Sequence, residues 1–208
     1  MGGTPPIFVM VKIYIQNINN ISLNELNISK LSPYRKEKFD RIVDGKSKVQ
    51  SLTAGLMLND YISDKEIKLN EYGKPYAENG PYFSLAHSGD YVVLAVSDKH
   101  EIGCDIEQLR DCEFTRMGKI VFTDSELCEL ESSEDKRDKF FELWTKKEAF
   151  IKCIGEGFHY PVKSLDLRGG KPYVLHNKDK YFFKEYMLTG YKIMLCSQDN
   201  KFEKTNLL

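Results

Sequence analysis

The chain has 208 residues, 41% hydrophobic and 29% charged, with 30 Lys and Arg against 31 Asp and Glu, for a formal net charge of -1. This is the composition of a globular protein with room for one large domain or two of roughly 100 residues each. Balanced charge argues against a polyanion-binding protein, so no nucleic-acid partner is expected, and no stretch approaches the roughly 18 apolar residues of a membrane helix, so no membrane partner is expected either. The cysteines Cys104, Cys112, Cys128, Cys153 and Cys196 are odd in number, irregularly spaced and without a CxxC pair. Reduced thiols in a cytoplasmic protein are the expectation, in place of a zinc site or a disulfide framework. The lead over residues 1–9, opening MGGTPP, reads as a remnant of expression with a natural start at Met10.

Residues 10–16 predict a strand. Leu31 to Tyr61 predicts helix, opened by Ser32-Pro33 as N-cap and first-turn proline, with Asp44-Gly45 as a point of interruption and an end near Ser63. This segment is locally basic, with Lys30, Arg35, Lys36, Lys38, Arg41, Lys46 and Lys48 against Glu37, Asp40 and Asp44. A Gly73-Lys74-Pro75-Tyr76 turn follows. Strands are then predicted over Tyr82 to His87, Tyr91 to Ser97 and Ile102 to Glu107, which together read as a β-meander. Residues 114–133 and 135–154 predict helices, and Leu165 to Ser197 predicts strands again.

The Gly-Lys-Pro-Tyr turn recurs at Gly170-Lys171-Pro172-Tyr173, 97 residues later, and Tyr91 to Ser97 is echoed by Tyr191 to Ser197 at an offset of 100. Aromatic pairs, Tyr82-Phe83 and Phe182-Phe183, stand between turn and strand in both copies. Two similar turns before two similar strands could produce this by coincidence. A duplication predicts two packed α+β halves with the best cleft between them.

Three segments carry chemistry. In Ile102-Gly103-Cys104-Asp105-Ile106-Glu107, strand alternation puts Ile102, Cys104 and Ile106 on one face and Asp105 with Glu107 on the other. Adjacent carboxylates repel unless a cation lies between them, and a hard divalent ion suits an oxygen site. An exposed acidic strand face is the plainer alternative. In the helix around residue 148, Phe140, Leu143, Trp144, Ile151 and Ile154 form the expected buried stripe. Trp144, Glu148 and Lys152 stand four apart on one face, as an ordinary helical ion pair or as a metal carboxylate beside a phosphate-binding ammonium. His87, in Ser84-Leu85-Ala86-His87-Ser88-Gly89, ends a strand at a tight turn where it is either structural or reaches a cleft.

Together these segments resemble the phosphopantetheinyl transferase superfamily. Its Gly-x-Asp-x-Glu strand corresponds to Gly103 through Glu107. Its Trp-[Ser/Thr]-x-Lys-Glu-[Ala/Ser] helix with a trailing Lys corresponds to Trp144 through Lys152. The likeness runs from about residue 10 to about residue 200, and the length is that of the surfactin-type branch, a monomeric pseudo-dimer. The resemblance implies an α+β pseudo-dimer of two similar halves, each a small antiparallel sheet with a packed helix. Residues 10–105 would supply coenzyme A nucleotide contacts and residues 106–208 the metal-binding helix and the carrier dock.

The implied reaction transfers the 4'-phosphopantetheine group of coenzyme A to a serine of an apo acyl or peptidyl carrier protein, releasing 3',5'-ADP. Asp105, Glu107 and Glu148 would hold magnesium, with manganese an alternative. Lys152 would contact the pyrophosphate and His87 a coenzyme phosphate. Lys74 would lie along the adenine nucleotide, Arg35 and Lys38 would pair with nucleotide phosphates, and Glu148 would serve as base. Glu126 falls in a family Phe-x-x-x-Glu stretch without a firm role. Two departures stand out: Ala86 where many relatives carry Ser, and Gln50-Ser51 where many carry Arg followed by Ser or Thr, a contact that Lys46 or Lys48 could replace. A coenzyme-binding protein without transferase activity and a metal-dependent phosphohydrolase are the competing readings.

Overall fold

The computed structural model describes residues 11–62, 65–169, 173–203 and 206–207; the lead over residues 1–9, Met10, Ser63 and the second Gly-Lys-Pro lie outside them. In chain order come β1 (Lys12–Asn17), α1 (Glu25–Ser29), α2 (Pro33–Asp40), α3 (Gly45–Tyr61), β2 (Ile67–Leu69), β3 (Pro75–Ala77), β4 (Tyr82–Ser88), β5 (Tyr91–Ser97) and β6 (Ile102–Gln108). Then follow α4 (Phe114–Val121), α5 (Asp124–Ser132), α6 (Lys136–Ile154), β7 (Tyr173–His176), β8 (Asp179–Leu188), β9 (Tyr191–Ser197) and β10 (Asn206–Leu207).

Local chemistry sets the helix ends. Ser32 caps α2, with Pro33 in its first turn, and Asp44 accepts from the Ser47 amide at 2.7 Å to start α3. The helical stretch over residues 31–61 is therefore two helices, divided at the interruption expected at Asp44-Gly45, because Asp44 is a cap and not an interior residue. Likewise the helix expected over 114–133 divides at Phe122-Thr123. Thr123 and Glu126 form a reciprocal capping box that starts a new helix there.

The predicted β-meander is corrected by the pairing. β5 runs between β1 and β4 in a sheet ordered β10-β1-β5-β4, whereas β6 pairs wholly with β9 in a second sheet ordered β6-β9-β8-β7. The turn after Ser97 thus passes the chain from one sheet to the other. Edge strands β4 and β6 meet along a seam stitched by serine hydroxyls: Cys104 N–H donates to Ser84 Oγ at 3.0 Å and Gln108 N–H to Ser88 Oγ at 3.1 Å. These bonds satisfy edge amides that no strand pairs.

The β4–β5 and β8–β9 hairpins have one register. Tyr82 faces Ser97 and Ser88 faces Tyr91 in the first; Phe182 faces Ser197 and Leu188 faces Tyr191 in the second. Between the sheets lies a shared core to which Ile13, Val93 and Ala95 contribute from one side and Cys104, Ile106 and Leu195 from the other. Each fully buried aliphatic chain there contributes about 1.5–3 kcal/mol. On the outer faces, α3 covers Val92 and Leu94 with Ala54, Met57 and Leu58, and α6 covers Met194 and Cys196 with Ala149, Phe150 and Cys153. The fold is α+β, as expected.

Candidate active site

Gly103 decides where α6 lies. A Cβ at this position would overlap the Ala149 carbonyl oxygen and the Cys153 amide nitrogen. Only glycine lets the helix backbone rest directly on the strand. That approach brings Glu148 and Lys152 to the face of β6 that carries Asp105. Trp144, on the same helix face, is half-buried and stacks on Phe140 with ring centroids 5.8 Å apart. The stripe of Phe140, Leu143 and Ile151 is buried, and Ile154 is packed at its edge.

Asp105 is 6% exposed, which removes the reading of a solvated acidic strand. Its Oδ1 accepts from Lys152 Nζ at 2.7 Å, and its Oδ2 is buried without a hydrogen-bond partner. Burial pushes the Asp105 carboxyl up to about 7; Lys152 opposes the rise, and Glu148 and Glu107 add to it. Burial also raises Glu148, against Lys152 and with Glu107. For Lys152, burial favours the neutral amine, but Asp105, Cys104 and Glu148 outweigh it and hold its pKa above the ordinary value. Glu107 accepts from Ser88 Oγ at 3.0 Å and from Arg110 at 3.2 Å.

Among the described residues, no group of three His, Cys, Asp or Glu side chains stands close enough together to enclose a metal. The donor set nevertheless fits a divalent cation. Asp105 keeps a buried oxygen with no donor, and the neighbouring carboxylates Glu148 and Glu107 raise its proton affinity, so a cation there would relieve both.

Beside the carboxylates opens a cavity of about 330 Å³, lined by Arg35, Lys38, Lys74, Glu148 and Lys152 and by the apolar surfaces of Tyr34, Tyr72, Phe83 and Ile151. Arg35 is 5% exposed. Its guanidinium donates to the Ser51 carbonyl at 2.8 Å, it has no carboxylate partner among the described residues, and its Nε is unsatisfied. Burial lowers its pKa; Lys38 is lowered by burial and then by Arg35. A buried cation without a counter-ion is costly unless an anion arrives. His87 is exposed nearby. The solvent it loses to the surrounding protein, followed by Lys152, Lys38 and Arg35, holds its pKa below the ordinary value.

Not every expected residue meets the cavity with a free charge. The Lys74 ammonium bonds Glu101, Cys153 O and Ile102 O, although its side chain lines the wall. Gln50 donates to Gly89 O at 3.0 Å and steadies the turn after His87. Lys46 pairs with Asp90 and Lys48 lies over Phe39, so neither stands in for the missing arginine in this arrangement.

Sequence reasoning missed Lys147. It is buried, paired with the fully buried Glu126 at 2.8 Å, and donates to the carbonyls of Val162 and Leu165. Glu126 in turn accepts from the amides of Thr123 and Leu167. This staple fixes the inner face of α6 and so aims Glu148 at the cavity. The sequence signal was the Lys that precedes Glu in the helix signature, to which sequence reasoning assigns no role of its own.

A family model described as the 4'-phosphopantetheinyl transferase superfamily matches residues 101–198. The chain is 30% identical to "4'-phosphopantetheinyl transferase ffp" of Bacillus subtilis, covering 79% of this chain and 76% of that one. It belongs to this superfamily. The transferase gsp of Aneurinibacillus migulanus is 29% identical over 89% of this chain and 84% of its own length. Sfp of Bacillus subtilis (strain 168) is 28% identical over 89% and 90%. These relatives place the chain in the Sfp-like branch of the phosphopantetheinyl transferases, a class of enzymes.

Proposed function

We propose that this phosphopantetheinyl transferase moves the 4'-phosphopantetheine group of coenzyme A to a serine of an apo acyl or peptidyl carrier protein and releases 3',5'-ADP, with magnesium or manganese bound. The observation that carries this reading is one cavity with Arg35 and Lys38, cations without a carboxylate partner among the described residues, at one side and Glu148 with Lys152, the latter paired to Asp105 behind it, at the other. Coenzyme A has phosphates to match both.

Asp105, Glu107 and Glu148 would hold the ion, which supplies charge neutralisation at the pyrophosphate. Arg35, Lys38 and His87 bind the nucleotide phosphates. Lys152 binds the pyrophosphate and stabilises charge on the leaving oxygen. The carrier's serine oxygen bonds to the phosphorus on the pantetheine side. The bond from that phosphorus to the bridging oxygen breaks, and the serine proton passes to Glu148. Burial raises its pKa, which makes it a stronger base than an ordinary carboxylate.

The carrier, an acidic helical protein, docks on α4 and its surroundings. Ile120 is 71% exposed there, and Arg116 and Lys119 border a surface groove with Phe114. The chain divides in this reading into two halves, 10–105 and 106–208; the matched hairpins support a division, although the sheets part before β6 and not within it. A cytoplasmic monomer is the setting we infer, supported by free thiols among the described residues; no described helix is long and apolar enough to cross a membrane.

The test mixes the protein with coenzyme A, magnesium and an apo carrier, and weighs the carrier. A gain of one phosphopantetheine is expected. Coenzyme loss with an unmodified carrier indicates hydrolysis, and no change to either indicates binding alone.

A further inference from the structure

Lys74 was expected along the nucleotide, yet its ammonium is fully engaged elsewhere. Its side chain is 15% exposed. Its partners are the Glu101 carboxylate, the Cys153 carbonyl at 2.9 Å and the Ile102 carbonyl at 3.4 Å. An ammonium has three protons, and three acceptors account for them. Cys153 O is one of the last carbonyls of α6, which the helix itself leaves unpaired. A cation there also meets the negative end of the helix dipole.

Asn70 completes the grip. Its Oδ1 accepts from the amides of Tyr72 and Lys74, which fixes the turn, and its Nδ2 donates to Gly155 O at 2.9 Å. Gly155 closes α6 in the left-handed region at φ 76°, and a Cβ there would lie 2.8 Å from Lys74 Cδ. The turn over residues 70–74 therefore ties together the start of β6, through Ile102 and Glu101, and the end of α6, through Cys153 and Gly155. Lys152 is the residue before Cys153, and its partner Asp105 lies on that same β6. The turn is also a wall of the cavity.

We propose that Lys74 is a positioning residue: it clasps the C-terminal turn of α6 to β6 so that Lys152 stays on Asp105, and it does not itself bind a coenzyme phosphate. The proposal rests on the transferase reading for its kinetic arm alone. Coenzyme affinity and hydrogen exchange are read without turnover, so either reading can fail while the other stands.

The variants are Lys74→Met and, for the other end of the clasp, Asn70→Ala, which serves if the first does not fold. Amide exchange over residues 149–155 is expected to quicken by about tenfold or more, as local opening of the helix end becomes easier. The preference for coenzyme A over dephospho-coenzyme A, measured by calorimetry, is expected to stay within about twofold of wild type, while Arg35→Met loses it. In turnover, kcat is expected to fall about tenfold with KM for coenzyme A nearly unchanged, and in a Lys152→Met background Lys74→Met should add less than about twofold. Lost discrimination between the two coenzymes, unchanged exchange, or full additivity with Lys152→Met overturns the proposal.

Discussion

By strand register, β1 beside α3 and β6 beside α6 take matching places in the two sheets, and they are filled differently. By the hairpin registers, Ile13 beside Ala95 in β1 corresponds to Cys104 beside Leu195 in β6. The next residue along is Tyr14 in one and Asp105 in the other. Tyr14 stacks on Tyr61 of α3, with ring centroids 3.7 Å apart, where Asp105 pairs with Lys152 of α6. Four residues before each partner stand Met57, buried in the core, and Glu148, facing the cavity. The residue before Ile13 is Lys12, and the residue before Cys104 is Gly103. One framework thus makes a packed face and a charged site. Gly103 permits the close approach that a side chain at Lys12 does not, and close approach lets short carboxylates and an ammonium reach one another across a helix–strand interface.

Breaking the charged side should cost most. Glu148→Gln is expected to lower kcat about 1000-fold, or about 4 kcal/mol, while coenzyme A binding by calorimetry changes little. Near-normal turnover would remove Glu148 as base. Gly103→Ala tests the close approach itself. The helix must move off the strand, and a loss of about 3 kcal/mol is expected in denaturant unfolding, with transfer activity falling alongside. Lys12→Ala, at the corresponding place, is expected to stay within about 0.5 kcal/mol of wild type.

Reversing Arg116 and Lys119 to Glu should raise KM for the carrier about tenfold and leave KM for coenzyme A unchanged; an unaltered carrier KM refutes the dock. His87 gives a pH signature. Its pKa is held low in the free protein, so the ring is neutral near pH 7 and gains a proton when a phosphate arrives beside it. Affinity for coenzyme A should therefore strengthen as pH falls from about 7.5 to about 6, by at most about tenfold per unit. Calorimetry in buffers of different ionisation enthalpy should show proton uptake that His87→Gln abolishes. The smallest effect is expected on the packed side: Tyr61→Leu should cost about 1 kcal/mol of stability and leave kcat alone.

Much of this was legible before folding. Period-two alternation in β6 separates Asp105 from Cys104 and Ile106, and period-four spacing in α6 aligns Trp144, Glu148 and Lys152. Ser32-Pro33 marks the start of α2 because capping is a contact between residues three apart. The repeated hairpin was visible as Tyr91 and Tyr191 one hundred residues apart. Where sequence reasoning failed, a local signal met a distant competitor. Three successive strand patterns look like a meander, yet β6 pairs with β9, because hydrogen-bond partners of an edge strand are chosen by packing and not by order.

The sequence alone determined which side chains share a face, where helices begin, and that the acids, Lys152 and a basic segment belong to one familiar pattern. These follow from backbone periodicity and short-range capping. Only the tertiary structure decided that Arg35 is buried without a counter-ion among the described residues, that Lys147 and Glu126 form an internal staple, and that Lys74 grips a helix end. Charge on a residue is written in the sequence. Whether that charge is free to meet a ligand depends on carbonyls and carboxylates brought to it from far along the chain, as Cys153 and Glu101 are brought to Lys74.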